Sequence, residues 1–401
     1  MTSSRGKTHD AISGVVLDNG LVRLTFDKHT GMLTHFIDLQ GGIAHVAPPA
    51  APVGLWKLTF RAGTEERVLE SPGLDGKVSF RKAVGKSGRQ QLTITWRGLT
   101  FQNRKDTVDV VVKVSLTKAS ARTEWRMEVA NRSERYGLWE AAFPWFGGWP
   151  PARAYDLAVG RSNWGRLYRE VEERQEGAYS SGSWPMSFFL LMTGNRGLYI
   201  AAHDERQYHK KFVVHPGEQT AVVLPVPGAG EPGTGLADLY PVVIQPYRGG
   251  WLEGAKLYRE WALGQPWTAK GPLSRREDVP KAIKDIGLWF LCSYPGHEKS
   301  KEWTEEIERT ARYYDVPIGV HIYQWHEIPF DNYYPEYFPA KRGFVEAVGR
   351  LTASGILAMP YINARLWDCR AESFARAKPA CTKDPMGVPP LELYGPTSGQ
   401  L

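Results

Sequence analysis

From residue 12 to about residue 230, hydrophobic and polar positions alternate in short runs broken by turn residues, the pattern of an antiparallel β domain. Leu21 to Phe26 puts Leu21, Arg23 and Thr25 on one face and Val22, Leu24 and Phe26 on the other. The chain then turns at Gly31, and MLTHFIDL continues as the partner strand. Similar runs follow at 55–60, 91–96, 108–116, 123–131, 187–194 and 197–204. With no amphipathic helix among them, these runs predict a large β-sandwich. Near residue 225 the composition shifts to the Gly/Pro loop PVPGAGEPGTG. Beyond YPVVIQPY, residues Leu252, Ala255, Tyr258, Arg259 and Ala262 recur at helical spacing and predict a connecting helix ended by Gly264 and Pro266.

After residue 284 the rhythm changes. The apolar run IGLWFLC is followed by KEWTEEIERTARYYD, whose Trp303, Ile307, Thr310 and Ala311 share a helical face. PIGVHIYQW reads as a second strand, and RGFVEAVGRLTASG as a helix with Phe344, Val345, Val348 and Leu351 inward and Gly355 past its end. ILAMPYINARLWD is a third strand with its exit loop. Strand, helix, strand, helix, strand is a parallel βα series, the opening of a (β/α)8 barrel. The expected fold is therefore multidomain β plus α/β: a β-sandwich over 12–248, a connecting helix and linker over 249–283, and a partial TIM barrel over 284–401. A full barrel takes about 250 residues, so this reading expects the chain to stop inside its second domain. The alternative is a small open three-stranded α/β appendage, whose apolar edge would be a liability.

In α/β folds, ligands sit at the carboxyl ends of the strands. At the second strand's end the run QWHEIPFDNYYPEYFP mixes flat rings with carboxylates and amides, the pairing a ring sugar needs for its C–H face and its hydroxyls. The candidate sugar contacts are Trp289, Ser293 and Tyr294 after the first strand. Gln324, Trp325, His326, Glu327 and Asp331 follow the second, and Asn363, Arg365, Trp367 and Asp368 the third. Tyr361, Asn363 and Arg365 alternate and so share a face, from which Asn363 and Arg365 would grip hydroxyls. Against this, Arg365 has a salt bridge to Asp368 or Glu327 as its plain structural role, and an aromatic loop packed on the end of the sheet is the plain reading of the rings. Asp331 and Asp368 are weak acid/base candidates, with loop capping as the simpler fate of each. His321, inside an apolar strand, reads as a core histidine.

Charge and composition narrow the partners. The net charge of +7 is spread without a basic run, which argues against nucleic acid. No run approaches the roughly 20 apolar residues that span a bilayer, and the start lacks a secretory leader. The sequence as written reads as cytoplasmic, or as secreted or periplasmic if its start is misassigned. Cys292, Cys369 and Cys381 form neither a disulfide framework nor a zinc spacing. No metal or cofactor is predicted, although acidic barrel loops leave calcium open.

Several longer segments carry a resemblance: NGLVRLTFDKHTG, WRMEVANRSERYGLWEAAFPWFGG, GLYIAAHD, GAKLYREWALGQPW, GVHIYQWHEIPFDNYYPEYFPA and MPYINARLWD. From about residue 12 to about residue 400 the chain resembles an uncharacterised family of glycoside-hydrolase-like proteins that join a galactose-mutarotase-like supersandwich to a TIM barrel. The resemblance implies hydrolysis of O-glycosidic bonds by two carboxyl groups, carried on later barrel strands and hence beyond Leu401. The alternatives are a non-catalytic carbohydrate-binding fragment, and an aldose epimerase using His203, Asp204, Glu205 and His209 of the sandwich as its acid and base.

Overall fold

The computed structural model describes residues 14–47, 54–71, 77–147, 155–161, 164–179, 183–215, 219–224, 226, 228–329, 332–383 and 388–391. The chain divides into two compact units, Met1–Ala269 and Lys270–Leu401.

The first unit is built of antiparallel strands, as the alternation predicts. Four strands from Val15–Asp18 to Ile43–Val46 pair in sequence order. A six-stranded sheet includes Lys57–Ala62, Gly137–Gly147 and Lys210–Val214, and a nine-stranded sheet runs from the edge strand Trp164–Tyr168 to Lys77–Val84. All three sheets contribute to one core. Phe26 meets Trp125 at 6.0 Å, Phe60 meets Phe101 at 4.5 Å, and Trp56 stands edge-on to Trp96 at 5.6 Å. Large rings meeting at an angle fill such an interlayer space densely and favourably.

The strand Phe188–Thr193 explains its own lack of alternation. Phe189 and Leu191 enter the common core, while Phe188, Leu190 and Met192 lie in a separate cluster on the opposite face of the sheet. That face is covered by the helix Trp251–Ala262, which therefore packs on the first unit instead of serving only as a connector. Tyr258 stacks on Phe188 at 4.6 Å. A Cβ on Gly254 would come within 2.6 Å of Leu190, so glycine permits the close approach of helix and sheet. The buried positions are Gly254 and Tyr258, whereas Leu252 and Arg259, which share the helical spacing with Tyr258, are exposed.

In the second unit the strands Leu288–Ser293, Ile318–Tyr323 and Leu357–Pro360 form a parallel sheet in chain order. The intervening helices are Ser300–Tyr314 and Phe344–Ala353. Phe290, Cys292, Ile318, Val320, Ile322 and Ala358 pack with Trp303, Ile307, Ala311, Phe344, Ala347 and Leu351 in one cluster. Val345, expected inward, is 73% exposed, and Ala347 takes its place. The helix Phe344–Ala353 is followed by Gly355 at φ +77°, a left-handed position where glycine avoids the strain of a side chain.

Candidate functional site

The side chains that alternate with this core set are Trp289, Leu291 and Ser293, then Gly319, His321 and Tyr323, then Leu357 and Met359 with Tyr361 just past the strand. Parallel register places Trp289 beside Gly319 and Leu357, Leu291 beside His321 and Met359, and Ser293 beside Tyr323. Trp289 is 45% exposed, Leu291 72% and Met359 43%. Gly319 makes room for the Trp289 ring, since a Cβ there would approach it to 2.6 Å. At the carboxyl end of this face Tyr323 and Tyr361 stack at 4.4 Å and 15°, with the His321 ring 4.8 Å from Tyr323. The Tyr361 N–H donates to the Ile322 carbonyl, which extends the ladder one residue past the third strand. His321 thus stands among half-buried rings on this face and not in the apolar core under the helices.

The loop after the second strand closes on itself. Lys341 N–H donates to the Trp325 carbonyl and Glu327 N–H to the Pro339 carbonyl. Trp325 is buried with Tyr337 stacked on one side and Phe344 on the other, at 5.8 and 5.4 Å, and its Nε1–H donates to the Tyr361 carbonyl. Its rings are a packing element, not the open platform expected of it. His326 is also buried, its Nδ1 bonded to the Ile328 carbonyl at 2.8 Å among the rings of Trp325, Tyr334 and Tyr337. Tyr294 is enclosed edge-on against Trp303 and Phe344, and its hydroxyl donates to the Arg342 carbonyl. These three leave the set of surface contacts because their polar atoms serve the loop.

Asn363 turns inward on the chain as well: its Oδ1 accepts the N–H groups of Arg365 and Leu366, an Asx turn that sets the exit from the third strand. Asp368 accepts the guanidinium of Arg370 through both oxygens and the N–H groups of Tyr333 and Arg370. Arg370 first, and those backbone donors next, hold its carboxyl down to about 2 against the opposing effect of burial. A carboxyl so held is no proton donor near neutrality, so Asp368 fails as an acid. Its ion pair is with Arg370. Asp331 lies outside the described residues.

Gln324, Glu327, Arg365 and Trp367 remain exposed in the loops after their strands; Trp289 is exposed too, but it stands near the amino end of Leu288–Ser293, level with Gly319 and Leu357, and so is not at the carboxyl rim expected of it. Gln324 sits at φ +53°, a left-handed conformation that a non-glycine residue seldom adopts, at the point where the second strand ends. Trp367 is 42% exposed, with its Nε1–H fixed on Ser373 Oγ at 3.0 Å. Sequence reasoning did not single out Arg370, Glu336 or Ser373, because the contacts between loops that give them a role, Arg370 to Asn332 and Ser373 to Glu336, span 38 and 37 residues. Alternation around Tyr361 was visible, but its stacking partner Tyr323 follows only from the register.

In the first unit, His203 and Asp204 are buried while Glu205 and His209 are exposed, so the four do not form one acid/base site. Arg122 Nη2 lies 3.2 Å from His203 Nδ1 and Tyr199 Oη 2.8 Å from Nε2, with Trp261 stacked on the ring at 4.5 Å. An arginine can only donate, so Nδ1 accepts and Nε2 carries the proton. Burial foremost, with the Arg122 charge, pushes His203 down to about 3. Unfolded His203 binds a proton near its ordinary value of 6.5 and the folded residue does not, so its contribution is complete above that value and lost as pH falls toward 3. By pH 5 the loss is about 2 kcal/mol. Thermal unfolding at pH 7 and pH 5 should show a drop in Tm that is smaller in His203→Gln, and equal drops would contradict this role.

Comparison with known proteins adds to this geometry. A family model described as "Domain of unknown function (DUF6259)" matches residues 236–401. A Bacteroides thetaiotaomicron protein named "Putative glycoside hydrolase" is 28% identical over 347 residues, which is 84% of this chain and 50% of that protein. A Monosiga brevicollis protein of similar name is 28% identical over 238 residues, covering 51% of this chain and 20% of its own length. This chain therefore spans half or less of the length of the curated relatives it matches. Among solved structures, the α-N-acetylgalactosaminidase NagBb of Bifidobacterium bifidum, in its GalNAc complex, aligns with a TM-score of 0.70 at 12% identity. The alignment covers 94% of this chain and 63% of that one, and at such identity the likeness is one of fold. In sequence and in fold, this chain is glycoside-hydrolase-like.

Proposed function

We propose that this chain serves a carbohydrate-acting protein of glycoside-hydrolase type, and that the carboxyl rim of its three parallel strands binds the sugar. In this reading the three βα units are part of a (β/α)8 barrel, whose interior is the face bearing Trp289, Leu291, His321 and Met359. The first unit is a supersandwich of the galactose-mutarotase kind. The observation that carries the proposal is the stacked, half-buried Tyr323–Tyr361 pair at the strand ends, where Tyr323 alternates with the residues under the helices and Tyr361 packs at the edge of their cluster. A ring face there suits the C–H surface of a sugar, and Gln324, Glu327 and Arg365, exposed in the loops after the same strands, suit hydroxyls. The named relatives support the same substrate class.

Hydrolysis of an O-glycosidic bond needs one carboxyl to protonate the leaving oxygen and a second to attack the anomeric carbon or activate water. Asp368 is committed to Arg370, so we assign binding to these strands and the acid/base pair to groups outside them. A non-catalytic carbohydrate-binding role is the second reading, favoured by that same commitment of Asp368. The epimerase alternative loses its base to the enclosure of His203.

Calorimetric titration of the chain with N-acetylgalactosamine and with galactose tests the proposal. The chain should bind at least one of them, and Tyr361→Ala should weaken binding several-fold, up to about tenfold, consistent with about 0.5–1.5 kcal/mol for an aromatic ring contact. Binding that is equal in the variant would overturn the rim as the site. Activity on an aryl glycoside by the chain, unaffected by Tyr361→Ala, would do the same.

A further inference from the structure

Two loops that the sequence separates are fastened together at the rim. Arg370, in the loop after the third strand, donates from Nε to Asp368 Oδ1 at 3.1 Å and from Nη2 to Asp368 Oδ2 at 2.8 Å. The same Nη2 reaches back to Asn332 Oδ1 at 2.6 Å, in the loop after the second strand. The guanidinium also lies over the ring of Tyr333, 4.7 Å from its centroid. Asp368 completes the tie in both directions: its Oδ2 accepts the Tyr333 N–H at 2.7 Å, and its own N–H donates to the Tyr334 carbonyl at 2.9 Å. A second tie stands beside the first. Glu336 Oε1 accepts both the N–H and the hydroxyl of Ser373, at 3.1 and 2.5 Å, and Ser373 Oγ receives the indole N–H of Trp367.

We propose that Arg370 is a positioning residue that locks the aromatic loop after the second strand to the loop after the third, so that Tyr333 and Trp367 meet the sugar as one rigid rim. The inference rests on the sugar-site reading above. Tyr333 holds φ +54°, a conformation disfavoured for a bulky residue, and the lock is what keeps it there. The Arg370 fork is also suited to this task because it spans a carboxylate and an amide at once while its flat face covers a ring, which a lysine ammonium does not do. Rigid presentation lowers the ordering entropy that a flexible loop would lose on binding, so the lock raises affinity without Arg370 touching the ligand.

Hydrogen exchange and sugar titration on the full chain test this together. In Arg370→Gln the Tyr333 amide should exchange at least tenfold faster while amides of the three strands keep their rates. Affinity for the monosaccharide that the unmodified chain binds should fall several-fold. Without its guanidinium partner the Asp368 carboxyl moves back toward its ordinary value of 3.8, so the variant's affinity should decline with acid near pH 4 while that of the unmodified chain stays level. Ser373→Ala, which loosens only the second tie, should weaken sugar binding less and leave Tyr333 exchange unchanged. Unaltered Tyr333 exchange in Arg370→Gln would overturn the lock. Faster exchange with undiminished affinity would overturn the positioning role. Failure of the unmodified chain to bind any sugar, with Tyr333 exchange accelerated in the variant, would instead overturn the sugar-site reading on which this role rests.

Discussion

Trp325→Ala is expected to destabilise the second unit by about 3–5 kcal/mol, the range for emptying a large aromatic site in a core. The ring lies between Tyr337 and Phe344, with Phe338 and His326 at its edges, and its Nε1–H satisfies the Tyr361 carbonyl. Removing it opens a cavity and deprives a backbone acceptor of its donor, so both effects have the same sign. Trp325→Phe keeps most of the volume and should recover more than half of the loss. Urea denaturation followed by near-ultraviolet circular dichroism measures this directly. A loss under 1 kcal/mol, together with weakened sugar binding, would mean that Trp325 is a ligand platform after all.

The second large effect belongs to the first unit. Lys210→Met should destabilise it by about 3–5 kcal/mol, because the change leaves a buried carboxylate without its cation. Lys210 and Asp204 are both almost fully enclosed and 2.9 Å apart. The ammonium also donates to the Tyr208 carbonyl and lies 4.3 Å from the Tyr179 ring centroid and 5.2 Å from that of Tyr240. Burial draws the Lys210 pKa down, and the Asp204 hydrogen bond and charge oppose that shift. Asp204 still accepts the N–H groups of Arg206 and Tyr208, which turn the chain between two strands. The double change Asp204→Asn, Lys210→Met removes the orphaned charge and should regain a large part of the stability. If the double variant is less stable than Lys210→Met alone, the uncompensated charge is not the cause.

Much of this architecture is legible in the chain because period and chemistry agree over long stretches. Alternation with period 2 marks the strands of the first unit, and the change to helices between apolar runs marks the second. Sequence falls short where a role depends on what approaches from elsewhere. Gly254 carries no hydrophobic signal, yet with Tyr258 it faces the sheet, because it has no side chain to hold the sheet away. The more apolar Leu252 points outward. Trp325 and Tyr323 are two residues apart in the same aromatic run, and nothing local tells that one is sealed between rings while the other stacks on Tyr361 at the open face. His321 sits between apolar neighbours, but register with Leu291 and Met359 places it on the side away from the helices.

The candidate site divides along the same line. Gln324, Glu327, Arg365 and Trp367 are exposed beyond the strands they follow, whereas Trp289, expected after the first strand, lies near the amino end of Leu288–Ser293 and away from the carboxyl rim. Asn363 and Asp368 are occupied by local capping and by Arg370, the simpler fate that short polar side chains in loops often meet. The lock through Arg370 joins residues more than thirty positions apart to Asn332 and Tyr333, a pairing that only the fold reveals.

The most direct test of the sugar rim is amide hydrogen exchange of the intact chain with and without a saturating monosaccharide. Slower exchange concentrated at Ser293, Gln324 and residues 361–367 is the predicted result. Protection confined to the first unit, or none at any concentration of sugar, would contradict it.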